Sequence, residues 1–330
     1  MMASPPIHHS TSRMQSKPPN VFSDWQASTS SDWGHKPLRL AHSWHTDPLF
    51  SLQSLASLIE RYPASDYALV RTGRRATGER TWREGQIGAL DGAEVIDAIG
   101  RGGMWLNLRN VQAQDPRYAT LLQAAHDELA QRIPGFTPSA LRMGVLISSP
   151  DARVHFHADL PGQALWQISG AKRVYIYPPR APYMPPHVLE QIAMTGLEVG
   201  IPYDPRFDAD ATVLDLEPGQ MLHWPLNSPH RVDNLDVLNI SVTTEYWTPE
   251  IRRSQMVTVA NGVLRRHLGM SPDSRKLDGP GFWAKAALQA AWRRSPWAGK
   301  QRRQQRPIDF RLAREAPEGW VDIAPIYPSR

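Results

Sequence analysis

VHFHADLPGQALWQISGAKRVYIYPP, residues 154–179, places His155, His157 and Asp159 at alternate positions of a strand-like run. Side chains two apart on a regular strand share a face. Two imidazoles and a carboxylate on one face serve no packing purpose, and they suit a metal ion. With no cysteine anywhere in the chain, a metal here must be held through nitrogen and oxygen. His155 stands on the same expected face and could itself be the first ligand, in a His-x-His set.

Outward from this stretch, residues 139–248 read as short alternating strands broken by turns. SALRMGVLISSP and RVHFHAD are two strands. QALWQIS and RVYIYPP flank a glycine turn, ATVLDLEPGQMLHWP turns at Glu217-Pro218-Gly219, and HRVDNLDVLNISVTTEYW turns at Asn234 to Asp236. Each of the last three reads as a hairpin. About eight such strands predict a mainly β fold, the double-stranded β-helix or jelly roll of the cupins. An α/β lead-in precedes it and helices follow it.

Upstream, residues 1–36 are rich in Ser, Pro, Thr and His and read as a disordered tail. Residues 37–135 form the lead-in: helical spacing over 47–63 and 116–135, a glycine-stopped helix in GAEVIDAIGRGG, and strands in DYALVRT and MWLNLRNV. Residues 136–250 are the expected catalytic jelly roll. Residues 251–330 are a basic extension, with helices over RSQMVTVANGVLRRHLG and GFWAKAALQAAWRR and an irregular PWAGKQRRQQRP. That extension holds 16 Lys/Arg against 6 Asp/Glu, a balance of +10, which leaves −5 for residues 1–250. Such a tail suits an acidic partner, nucleic acid included, although a solvated helical surface is the simpler reading. No apolar run is long enough to span a membrane. MMASPPIHHSTSRMQSKPPN has no apolar core of a secretory signal, so cytoplasm is the default expectation.

The motif blocks resemble the JmjC-like and cupin-like Fe(II)/2-oxoglutarate-dependent oxygenases. The first block stands here as His157, Asp159, Gln167, Gly170, Lys172, Arg173, Pro178 and Pro179. The second is Pro218-Gly219-Gln220, MLHW, Pro225 and His230. The resemblance covers about residues 139–248. It implies that His157, Asp159 and His230 hold Fe(II) and form the catalytic centre. It also implies that Lys172 holds the far carboxylate of 2-oxoglutarate, and it favours His157 over His155, because the Asp159 and Lys172 spacings then both fit. Three positions depart from the family: Gln220 replaces Asp, Gln163 stands where an asparagine is usual, and Val154 stands where a threonine is usual. Gln163 is carried as a co-substrate contact, together with Asn107, Arg109 or Trp105 from GMWLNLRN. The implied activity is hydroxylation, or demethylation where the oxidised carbon is an N-methyl, of a small-molecule or peptide substrate. The helices after residue 250 resemble in placement those through which some family members dimerise, so a homodimer is expected. The competing class is a non-catalytic cupin-fold regulator that contacts nucleic acid through its basic end; a metal-dependent cupin enzyme without 2-oxoglutarate is a third.

Overall fold

A computed structural model of the chain describes residues 20–73, 82–198, 201–235, 237–301 and 306–327. Fourteen strands lie among them: β1 (Leu38–Ala41), β2 (Tyr67–Arg71), β3 (Arg83–Gln86), β4 (Met104–Arg109), β5 (Ser139–Ser148), β6 (Arg153–His157), β7 (Gly162–Ser169), β8 (Lys172–Ile176), β9 (Thr212–Leu216), β10 (Gln220–His223), β11 (His230–Asn234), β12 (Asn239–Trp247), β13 (Ile308–Leu312) and β14 (Trp320–Ile326). They form a ten-stranded sheet in the order β1-β10-β7-β12-β5-β4-β2-β3-β13-β14 and a four-stranded sheet in the order β6-β11-β8-β9.

From β5 to β12 the chain passes back and forth between the two sheets, which is the double-stranded β-helix expected from sequence. The three expected hairpins are different from that expectation. β7 and β8, β9 and β10, and β11 and β12 each lie in different sheets, so every one of those turns is a corner of the barrel. Period-two alternation and a glycine turn look the same in a corner as in a hairpin, which is why sequence did not separate them. Gly170 shows what a corner needs: its φ is +75, and a Cβ there would sit 2.7 Å from the Leu238 carbonyl. Asp236, in the third expected turn, lies outside the described residues.

Alternation then assigns each strand face to one of two cores. Leu146, Leu165, Val174, Ile176, Leu216, Leu222 and Val232 fill the barrel between the sheets. The opposite face of the large sheet (Met143, Val145, Ile147, Trp166, Ile240 and Val242) packs against the helices Leu52–Glu60, Gly92–Arg101 and Pro116–Arg132. Asp91 caps the second of these by accepting from the Glu94 amide while Glu94 accepts from the Asp91 amide.

Both chain ends depart from expectation. Residues 1–19 lie outside the described residues, but residues 20–36 are ordered rather than disordered. Phe22 is 1% exposed, with its ring 5.4 Å from Trp166, and Trp33 stacks on His223 at 3.8 Å. Two aromatics in a polar background leave no periodic trace, yet each fills a hole in the large core. At the other end the helices Pro249–Leu268 and Gly279–Arg294 are present as expected, and Pro296–Gln301 is a further short helix. Arg302 to Gln305 of the expected irregular stretch lie outside the described residues. The extension then returns to the large sheet as β13 and β14. β13 runs parallel to β3, and the buried Phe310 ring occupies the space left by Gly85, where a Cβ would fall 2.3 Å from it. Arg83 donates to Asp309 at 3.0 Å, and Arg71 lies 3.6 Å over the Trp320 ring. Several basic side chains of the extension are thereby engaged within the molecule: Arg265 on Glu190 and Arg314 on Glu94, each at 2.8 Å, and Arg253 over Phe282.

Phe22→Ala tests whether the N-terminal segment belongs to the core. Loss of a fully buried ring predicts a destabilisation of about 3 kcal/mol or more in chemical denaturation. A loss below about 1 kcal/mol would mean that the segment adds little to the fold.

Candidate metal centre

β6 and β11 are neighbours in the small sheet, and their register brings the histidines together. His230 pairs with His157, but Val232 pairs with Val154, so His155 and Phe156 together stand opposite Arg231. This is a β-bulge, and it reverses the side on which residues after it point. Val154 faces the barrel core and His157 returns to that same face. Phe156 packs outside it, its ring 5.0 Å from Tyr177 and 5.2 Å from Tyr203. The shared face of His155 and His157 expected from strict alternation is therefore absent. Ligand atoms of His157, Asp159 and His230 lie within 4.8 Å of one another, and among the described residues they form the one such group of His, Asp and Glu side chains.

Hydrogen bonds fix how each imidazole is presented. His157 donates from Nδ1 to the His155 carbonyl at 2.7 Å, and His230 donates from Nδ1 to the Ser228 carbonyl at 3.1 Å. A carbonyl only accepts, so both rings hold their proton on Nδ1 and keep the Nε2 lone pair free. Metal-binding histidines are oriented in this way. Asp159 is 7% exposed and its Oδ2 has no hydrogen-bond partner, although it lies 3.4 Å from His230 Nε2. Asn227, in the left-handed conformation that asparagine tolerates (φ +60), donates to the Asp159 backbone carbonyl at 2.8 Å and pins the loop. Burial raises the Asp159 carboxyl and holds the His230 imidazole well below its usual range. A buried carboxylate with an orphaned oxygen beside two free imidazole nitrogens is a donor set that fits a divalent cation, whose charge favours the ionised carboxylate that burial disfavours. The Trp224 ring, 4.5 Å from that of His230, closes one side.

Lys172 opens β8 and points into the barrel. It pairs in register with Asn234 and with Leu216, and it is 3% exposed. Its ammonium approaches Ser148 Oγ at 3.5 Å, and the same hydroxyl accepts from Asn234 Nδ2 at 2.8 Å. Among the described residues no carboxylate compensates it, and burial lowers its pKa to about 7. Four positions along β8, Ile176 pairs with His230, so the lysine begins about 13 Å from the metal end of the barrel. Ser148 and Asn234 were missed by sequence reasoning. One ends β5 and the other ends β11, and only the barrel closure brings them to Lys172.

The remaining expected contacts divide. Asn107 lies on β4 in register with Leu146, on the barrel face, and its buried Oδ1 has no partner. Trp105 pairs with Ser148, at the level of Lys172, and Arg109 donates away from the barrel to the Ser65 and Tyr67 carbonyls. Gln163 is not brought beside Lys172. It pairs with Glu245 at the metal end of β12, whereas Ser148 pairs with Asn239 at the other end, and six residues of strand separate the two levels by about 20 Å. Glu245 and Glu198 also went unnoticed in the sequence. Burial first, and then the charge of Asp159, pushes both carboxyls up, Glu198 to about 8.

No protein-family model matches the chain, and no curated protein does. Among solved structures, Escherichia coli YcfD aligns with a TM-score of 0.50 and 20% identity, covering 84% of this chain and 70% of that one. Two further structures of that E. coli protein, a ribosomal oxygenase, were solved with cobalt and succinic acid and with cobalt and 2-oxoglutarate. They align at TM-scores of 0.48 and 0.47, with 19% and 20% identity, over 85% of this chain and 69% and 70% of those. At such identities the likeness is one of fold, and the chain shares with YcfD the jelly-roll architecture described above.

Proposed function

We propose that the chain is an Fe(II)- and 2-oxoglutarate-dependent oxygenase, with His157, Asp159 and His230 as the iron ligands. Two imidazole nitrogens and one carboxylate converging from one side are the donor set of non-haem iron oxygenases, which leaves the opposite positions open. The observation that carries the proposal is the pairing of this triad with a buried, uncompensated ammonium in the same barrel. When bound, the iron would let dioxygen act as the four-electron oxidant, one oxygen atom entering 2-oxoglutarate as it becomes succinate and carbon dioxide and the other entering an unactivated substrate C–H bond.

The chain's own groups then have separate tasks. Nδ1 of each histidine is held by a backbone carbonyl, so neither ring turns. Lys172, with Ser148 and Asn234 around it, receives the far carboxylate of the diacid, and Asn107 and Trp105 line the approach from β4. Leu146, Leu165 and Val174 keep water from the interior, which strengthens the ammonium–carboxylate attraction. Gln163, at the metal end, belongs with Glu245 on the substrate side. The product is a hydroxylated small molecule or peptide, or a demethylated one where the carbon is an N-methyl. Trp283 and Trp297 are each 64% exposed on the C-terminal helices, and the expected homodimer would rest on them.

Lys172 also sets a pH dependence. Its folded value, about 7, lies below the usual 10.5. Below pH 7 both folded and unfolded chains carry the proton, and the buried charge opposes folding. Between pH 7 and about 10.4 the unfolded chain binds more protons, so stability rises with pH. A diacid needs the charged ammonium, so its binding above pH 7 takes up a proton and weakens by up to about tenfold per pH unit. Calorimetry in buffers of different ionisation enthalpy would detect that uptake, and Lys172→Met removes both the rise in stability and the proton uptake.

Metal binding, followed by cobalt(II) absorbance, is expected to fall more than about 100-fold in His157→Ala or His230→Ala and to stay within a few-fold in His155→Ala. Equal loss in all three would remove the ligand assignment. With iron, 2-oxoglutarate and dioxygen, wild type produces succinate and Asp159→Ala does not. Lys172→Ala raises the KM for 2-oxoglutarate by about 30-fold or more, as expected on removing one partner of a buried charge pair. Full succinate formation by Asp159→Ala would overturn the proposal.

A further inference from the structure

A cavity of about 540 Å³ lies at the metal end of the barrel, outside its interior. Its walls come from segments distant in sequence: the N-terminal segment with Trp33, the chain after helix Pro116–Arg132 with Phe136, and the first turns of helix Pro249–Leu268 with Ser254. None of the three triad residues lines it. The volume falls within the range of small-molecule sites.

Among the described residues, two buried polar atoms on its wall lack a hydrogen-bond partner, the donor Nε1 of Trp33 and Nε2 of His223. His223 is 1% exposed and donates from Nδ1 to the Gln163 carbonyl at 2.7 Å. Its Nε2 is therefore an acceptor, and that atom has no hydrogen-bond partner. Burial lowers the imidazole to about 4, so the ring stays neutral and cannot turn that nitrogen into a donor at ordinary pH. A buried acceptor without a partner is rare in a folded protein and calls for water or a ligand. The surroundings are aromatic. Trp33 stacks on His223 with planes 12° apart, and Phe136 meets Tyr246 edge-on at 4.9 Å. Trp224 belongs to the same wall, and its ring is also the one that packs on His230.

We propose that this cavity is a binding site for a planar aromatic molecule that carries one N–H or O–H donor, with His223 Nε2 as the acceptor that selects it. The flat walls set the shape, and the His223 nitrogen sets the chemistry: a ring without a donor leaves that lone pair unpaired, while an acceptor on the same ring would meet the indole N–H of Trp33. Because Trp224 is shared, the site stands one indole away from the metal centre.

Fluorine NMR titration of the purified full chain with 4-fluorophenol, 5-fluoroindole and 4-fluorotoluene tests this. The phenol and the indole are expected to bind at least about tenfold more tightly than the toluene, which has the same shape and no donor. His223→Phe keeps a ring over Trp33 but removes the acceptor, and is expected to abolish the preference. Ser254→Trp, at the edge of the cavity, is expected to abolish binding of all three, and it keeps the test decisive where His223→Phe does not fold. Equal binding of phenol and toluene to wild type overturns the proposal. So does an undiminished preference in His223→Phe, unchanged binding to Ser254→Trp, or no binding of any probe up to about 10 mM. The measurement uses neither iron nor 2-oxoglutarate, so its failure leaves the reading of the metal centre standing.

Discussion

The register between β6 and β11 is the constraint on which the rest depends. A strand has two faces, and a slip of one residue would turn every side chain to the other. The bulge at His155 and Phe156 uses this rule locally. Val154 and His157, three positions apart, come to the same face. One can thus serve the apolar core while the other meets His230. Without the extra residue the imidazole of His157 would point to the aromatic layer now held by Phe156, Tyr177 and Tyr203. Asp159 needs no strand position at all, since Asn227 holds its backbone from the neighbouring loop.

The interior of the barrel is graded from end to end. Imidazoles and carboxylates gather near one mouth, apolar side chains fill the middle, and Lys172 with Ser148 and Asn234 occupies the opposite end. An isolated ammonium in such a place costs free energy that no carboxylate among the described residues offsets. Sites that hold strain or unpaired charge are where a protein gives up stability for a ligand. The same logic applies on the far side of β10, where His223 keeps an unused lone pair. In both places the polar atom is buried more completely than folding alone would favour.

Much of this was legible in the chain itself. His157, Asp159, Lys172 and His230 stood out through the resemblance of the two motif blocks to a known family, since His-x-Asp alone is a common chance match in a chain with 12 histidines, and the alternating strands announced two β layers. What stayed hidden depends on contacts between distant segments. A bulge has no residue signature beyond its neighbours, so His155 and His157 looked equivalent. Ser148 and Asn234 are ordinary strand-end residues until the barrel closes. Gln163 was placed by analogy of position, and pairing with Glu245 put it at the other end. Phe22 and Trp33 sit in a segment whose composition resembles a flexible tail, and packing overrode composition. β13 and β14 are short and lack a clean alternation, and the slot over Gly85, with Arg83 on Asp309 and Arg71 over Trp320, explains why they join the sheet.

That slot has a consequence for biosynthesis. β3 gains its outer neighbour from a strand more than 200 residues further along the chain. While the ribosome is still making the intervening barrel and helices, the backbone groups on that side of β3 face solvent and can recruit any extended segment nearby. Non-local parallel pairing is also slow to form. The nascent protein therefore emerges with an open seam, and its final twenty or so described residues act as the closure that seals it.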